Sequence, residues 1–307
     1  MKLSFHRGAE PNFGDELNDI VWRSLLPAGL LDDDDSEVLV GIGSIINTEH
    51  PAHARKHVLG SGYGGYTRPP DLADGTWVLH WVRGPRTAAR FGLDPELVIT
   101  DSAILLAAMD LPAPVATGGT VFMPHLDSLQ RGAWPHACAL AGVTFLDPRA
   151  PVEDLLGQIA GARLVITEAM HGAIVADTLR VPWIGIRPVL PLHRDKWHDW
   201  AQSLSIDLRP VPAQPSSLRE VWAAHTGLDA RGRRTRLVLD GPLAAPGRLW
   251  VSHRAARFLQ DLATTGDPQL SDAAQFDRAL DRSLTALDRF VRGRAPAHPA
   301  VAARGTV

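Results

Sequence analysis

Short apolar runs alternating with helical segments narrow the possible folds of this chain more than any other feature of its sequence. "KLSF" reads as a first strand. "GDELNDIVWRSLL" follows as a helix, with Leu17, Ile20, Val21 and Leu25 on one stripe. "EVLVGIG", "KHVLGSG", "TWVLHWVRG" and "ELVITD" are the next strand candidates, most ending in glycine or a polar residue before a helix or loop. "MDLPAPVATGG" (109–119), rich in Pro, Ala and Gly, reads as a linker. The rhythm then restarts. "GTVFMPH", "GVTFLDP", "RLVITE" and "VPWIGIRP" look like strands, with "VEDLLGQIAGA", "HGAIVADTLR" and "DKWHDWAQSL" as their helices.

Near-continuous apolar strands separated by helices predict parallel sheets covered on both faces. The expected architecture is α/β, two Rossmann-like domains facing a cleft, with C-terminal helices. The expected boundaries are 1–112, 113–215 and a helical segment with tail at 216–307. In "DAAQFDRALDRSLTALDRFVRG", Phe276, Leu280, Leu284, Leu287 and Val291 form an amphipathic stripe. These late helices are expected to cap the second domain or cross back to the first. The tail "APAHPAVAARGTV" is expected to fray.

Charge excludes some classes of function. With a net charge of −3, the chain lacks the basic surplus that a phosphate backbone demands, so nucleic acid is not expected as a partner. Only Lys2, Lys56 and Lys196 are lysines among 31 basic residues, so an anionic ligand would be gripped mainly by guanidinium groups. The lone Cys138 precludes an internal disulfide and reads as a small buried residue. No membrane span and no signal peptide are evident, which gives the expectation of a soluble cytoplasmic protein. "DDDD" (32–35) reads as a solvated loop. CxxC, HExxH, P-loop and GxSxG motifs are all missing, so neither a metal nor a cofactor is expected.

In open parallel sheets, ligands bind beyond the carboxyl ends of the strands. Each strand end therefore supplies candidates. After the first strand come Gly8, Asn12, Gly14 and Asp15, which read either as a ligand loop or as an ordinary helix cap. "VLGSGYGG" contributes Gly62 to a loop whose N–H groups can cradle oxyanions. Arg83 and Arg86 are expected at the cleft edge, with solvated surface arginines as the alternative. Asp101 stands at a strand end as a site residue or an N-cap, and His125 ends the first strand of the second set. "RLVITEAMHGAIVAD" sets Glu168, His171 and Gly172 at a strand-to-helix junction. A histidine there can donate to a phosphate or shuttle a proton near neutral pH. Arg187, His193, Arg194 and Lys196 extend a positive wall that suits a phosphate ester. Trp197 and Trp200 either stack on sugar rings or fill the core.

In this order, the stretches "NFGDELN", "VGIGSIIN", "LGSGYGG", "VRGPRTAARFGL", "ITDSAILL", "MPHLDS" and "EAMHGAIVADTLRVPWIGI" resemble the polysaccharide pyruvyltransferases, especially the branch that makes ketal pyruvate on bacterial exopolysaccharides. The resemblance covers most of residues 12–190 and fades beyond about 215. It implies a GT-B-like fold and phosphoenolpyruvate as the donor substrate. It also implies a sugar acceptor, free or lipid-linked, facing the N-terminal domain. His171 matches the family's active-site histidine. Many members carry a basic residue two positions earlier, where this chain has Ala169, so that role would pass to Arg187, Arg83 or Lys196. Asp15 or Asp101 would then orient or deprotonate the acceptor. The competing readings are a GT-B glycosyltransferase using a nucleotide-sugar and a non-catalytic sugar-binding protein. Acceptor identity and oligomeric state are not legible.

Overall fold

The computed structural model describes residues 1–188, 194–228 and 230–294; His193 and the tail from 295 lie outside the described residues. Two parallel sheets form the frame. In the first half, β1 (Lys2–Ser4), α1 (Phe13–Leu25), β2 (Glu37–Val40), β3 (Arg55–Leu59), β4 (Trp77–Trp81) and α2 (Pro85–Phe91) follow one another. Their strands pair in the order β1-β2-β3-β4. In the second half come β5 (Thr120–Met123), α3 (Leu126–Arg131), α4 (Trp134–Ala141), β6 (Thr144–Phe145), α5 (Val152–Ala160), β7 (Leu164–Thr167) and α6 (Met170–Thr178). β8 (Trp183–Arg187), α7 (Asp195–Ser203) and β9 (Val211–Pro212) complete it, and the strand order is β6-β5-β7-β8-β9. The segment 109–119 has no regular structure and joins the two sheets.

Four helices close the chain: α8 (Leu218–Thr226), α9 (Arg233–Leu239), α10 (Ala245–Thr265) and α11 (Ala273–Arg292). α10 packs on α4 and β7, whereas α11 returns to pack on β4 and on a 3₁₀ helix at Ser102–Ala108. One long helix therefore serves each sheet. The α11 stripe buries Phe276, Ala279, Ser283, Leu287 and Phe290, with Leu280, Leu284 and Val291 packed along its edge.

Two expectations need correction. "ELVITD" is not a strand. Pro95 has no N–H to give, and the Asp94 side chain accepts from Glu96 N to turn the chain. Only Val98 then reaches the sheet, as a single bridge to Val82. The short strand β9 has no counterpart among the strands expected from the sequence. Proline is tolerated there because the strand lies at the sheet edge.

Both faces of each sheet are covered. One buried cluster fills the outer face of the first sheet, and another lies between the second sheet, α4 and α10. The largest runs without interruption from Leu17 and Trp22 on α1, through Ile104 and Leu105, to Ile174 and Val175 on α6. The two halves thus share a core. Trp197 and Trp200 belong to it, packed beside Trp183, and are not sugar platforms. Cys138 is buried, and burial pushes its thiol up to about 12. Among the described residues, no helix is long and apolar enough to cross a membrane.

Candidate active site

A cleft of about 750 Å³ opens where the strand ends of the two halves meet. The first half lines it with the loop after β1 (Ser4 to Glu10), with Asn12 and Asp15 at the start of α1, and with the turn after β2. His125 and Asp127 after β5, Met170 and His171 at the start of α6, and Lys196 on α7 line it from the second.

Buried side chains set the first wall. Asn18 Oδ1 accepts from Ile42 N (2.9 Å) and Trp22 Nε1 (3.1 Å), and its Nδ2 donates to Ile42 O (3.0 Å). This pins the end of β2 to α1. Asp15 is held one turn earlier, accepting from Asn12 Nδ2 at 2.7 Å. Gly14 lies directly against His171, where a Cβ would overlap the imidazole ring. Glycine at 14 is what lets the two halves close on that histidine.

His171 contributes to the cleft wall but is mostly buried, with its Nε2 turned inward. Nε2 stands 3.7 Å from Asp101 Oδ2, and neither atom has a hydrogen-bond partner. Asp101 is fully buried, and its other oxygen accepts from Ala103 N to cap the 3₁₀ helix. It lies behind the histidine and does not line the cleft.

Lys196 has no hydrogen-bond or salt-bridge partner among the described residues. Desolvation and the Arg83 guanidinium push its ammonium down to about 8, against the pull of Asp15, Asp127 and Asp101. A partly buried, unpaired cation lining a cleft is suited to an anionic ligand.

Several expected site residues do other work. Arg83 is not at the cleft edge. It is fully buried, pairing with Asp199 at 3.1 Å and donating to Ser44 Oγ at 2.8 Å and to the carbonyls of Gly43 and Tyr63. Gly62 makes room for it, since a Cβ there would strike the guanidinium. Arg86 lies beside the same Asp199, its backbone N–H donating to that carboxylate and its side chain reaching Gln202 and Asp195. Arg187 is exposed at the end of β8 and lines a separate small hollow with Arg194 and His198. Glu168 is buried, accepting from His125 N (3.2 Å) and Ser128 Oγ (2.9 Å), and so braces the loop into α3. His125 caps α3 through Nδ1 while lining the cleft. Gly172 packs α6 on the sheet, because a Cβ there would meet Thr167 Oγ1.

Two comparisons bear on this arrangement. The family described as Polysaccharide pyruvyl transferase matches residues 58–188. The succinoglycan biosynthesis protein ExoV of Rhizobium meliloti (strain 1021) is 34% identical over 317 residues, covering 95% of this chain and 99% of ExoV. The chain belongs to the polysaccharide pyruvyl transferase family. Its general reaction is pyruvate transfer.

Of the three cations expected to compensate for Ala169, only Lys196 lines the cleft of this pyruvyltransferase. Arg83 is committed to Asp199 and Arg187 lies outside the cleft, whereas Lys196 lines it. Sequence reasoning missed Arg7, Tyr66 and Arg231, which also line the cleft. Arg7 stacks over Phe5 at 4.4 Å. It follows a strand end, so the rule that found Asp15 applies to it as well. Arg231 donates to Gln130 Oε1 at 2.7 Å, and it comes from a segment with no local signal. Among the described residues, no group of three or more His, Cys, Asp or Glu side chains converges to hold a metal.

Proposed function

We propose that this pyruvyltransferase moves the pyruvyl group of phosphoenolpyruvate onto two hydroxyls of one sugar in an exopolysaccharide or its precursor. A cyclic ketal forms and phosphate leaves. The observation that carries this reading is a single cleft with His171 and Lys196 on one side and Asp15 on the other. ExoV, by its name a succinoglycan biosynthesis protein, supports the exopolysaccharide acceptor.

In this reading, Lys196 holds the phosphate or carboxylate of the donor. His171 delivers a proton to C3, and the positive charge that develops at C2 is shared by the bridging oxygen of the enol phosphate. A sugar hydroxyl attacks C2 and passes its proton to Asp15. The C2–O bond to phosphate then breaks, and phosphate departs with the bonding electron pair and the proton that Asp15 took up. A second hydroxyl of the same sugar attacks C2 and closes the ring, and its proton restores the one that His171 gave to C3. Asp101 acts through His171, orienting the ring at Nε2, and is a positioning residue. The site supplies an acid, a base and a fixed cation where charge develops.

Phosphate release from phosphoenolpyruvate, assayed against free and lipid-linked oligosaccharides, tests the reaction. His171→Ala should lower the rate ~100- to 10,000-fold with an unchanged melting temperature. Wild-type turnover in that variant would remove His171 from the chemistry. A thermal shift with UDP- or GDP-sugars and none with phosphoenolpyruvate would favour a glycosyltransferase instead.

A further inference from the structure

We propose that the face built by α9, the turn after it and the start of α10 docks on an anionic phospholipid bilayer. α9 is unusual in having no buried residue, although it ends in Leu237, Val238 and Leu239. Leu237 is 79% exposed, Val238 69%, Leu243 100%, Leu249 56% and Trp250 58%. Five large apolar side chains this exposed within residues 237–250 of a folded chain mark an interaction surface.

Charge identifies the occupant. Residues 230–258 carry seven arginines and one acidic residue, Asp240, in a chain whose net charge is −3. Asp240 is already paired with Arg219 at 3.4 Å. Arg233, Arg234 and Arg236 have no salt-bridge partner among the described residues. The Arg254 guanidinium lies 4.7 Å over the Trp250 ring. Leucine and tryptophan rimmed by arginine form the amphipathic pattern that inserts at the headgroup level of anionic lipid. A second copy of the chain would bring like charges face to face, which costs energy. Arg231, just before α9, lines the cleft, so the docked protein would hold its cleft mouth near the bilayer plane. The inference is independent of the reaction proposed above, because binding is read without substrate.

The full chain is sedimented with phosphatidylcholine vesicles, with or without phosphatidylglycerol. It should pellet only with the anionic vesicles, and high salt should release it. Arg233→Glu with Arg234→Glu should weaken binding at least ~25-fold, at about fivefold per basic residue near the surface. Leu237→Ser with Leu243→Ser should also weaken it, and both variants should keep the wild-type melting temperature. Failure to pellet, or pelleting unchanged in both variants, overturns the proposal. So does a dimer in analytical ultracentrifugation that the serine variant dissolves while vesicle binding stays absent, since the occupant would then be a second copy.

Discussion

Lys196 shows how one side chain's surroundings set its use. Burial holds its ammonium near 8 where an exposed lysine stays charged to about 10.5. Catalytic efficiency with phosphoenolpyruvate should therefore fall as pH rises through about 8, and Lys196→Arg should carry that limb upward. Lys196→Met should raise KM for phosphoenolpyruvate roughly 10- to 100-fold, the loss of one hydrogen bond to a charged group, in steady-state assays at neutral pH. Linkage has a definite sign here. Between about 8 and 10.5 the unfolded chain binds the proton that the folded chain has shed, so this group makes stability rise with pH across that window. Gly14 sets the second prediction at this scale. Because a Cβ would overlap His171, Gly14→Ala should displace the imidazole and lower turnover, with a far smaller effect on the denaturation midpoint. Equal turnover would show that the ring's position is not tied to α1. The sequence marked Asp15, His125, His171 and Lys196 because they follow strand ends or begin helices. It could not separate Lys196 from Arg83, since burial against Asp199 depends on residues more than a hundred positions away.

At the scale of elements, α11 was legible in advance, because a stripe at spacings of three and four needs only local periodicity. Where the stripe lands was not legible. Its end packs Phe290 on His80 at 4.8 Å, and His57 stacks on His80 at 5.5 Å. Desolvation, then the charges of His57 and Arg294, hold His80 down to about 4. The unfolded chain takes up that proton from about 6.5 downward, while the folded chain resists until about 4. Stability from this contact is therefore complete above pH 6.5 and is lost as pH falls towards 4. Melting curves across that range should flatten in His80→Leu. Phe290→Ala should cost ~3–5 kcal/mol by chemical denaturation, because it empties a buried aromatic site. A loss below 1 kcal/mol would mean that α11 is not anchored at this end.

Across the whole molecule, the two halves are joined by polar ties as well as apolar core. Asp199 on α7 accepts from Arg83 Nε, from Arg86 N (2.9 Å), from Thr87 N (3.0 Å) and from Thr87 Oγ1 (2.6 Å). It therefore caps α2, whose own N-cap residue, Gly84, has no side chain to do so. Phe13 N donates to Pro148 O at 2.7 Å, and Gln130 Nε2 donates to Glu10 Oε2 at 3.1 Å. Arg83→Met strips one partner from a buried carboxylate and should cost ~3–5 kcal/mol in urea denaturation. A change under 1 kcal/mol would leave the α7–α2 contact without an energetic role. By itself, the sequence determined the parallel α/β frame, the break near 109–119, the amphipathic closing helix and the junction that carries His171, because each follows from local spacing of apolar, glycine and polar residues. Tertiary structure alone decided that Asp101 stands behind His171, that Arg83 is spent between the halves, and that Arg231 reaches the cleft. Those outcomes depend on contacts between residues distant in the chain, whose burial and pairing no local pattern encodes.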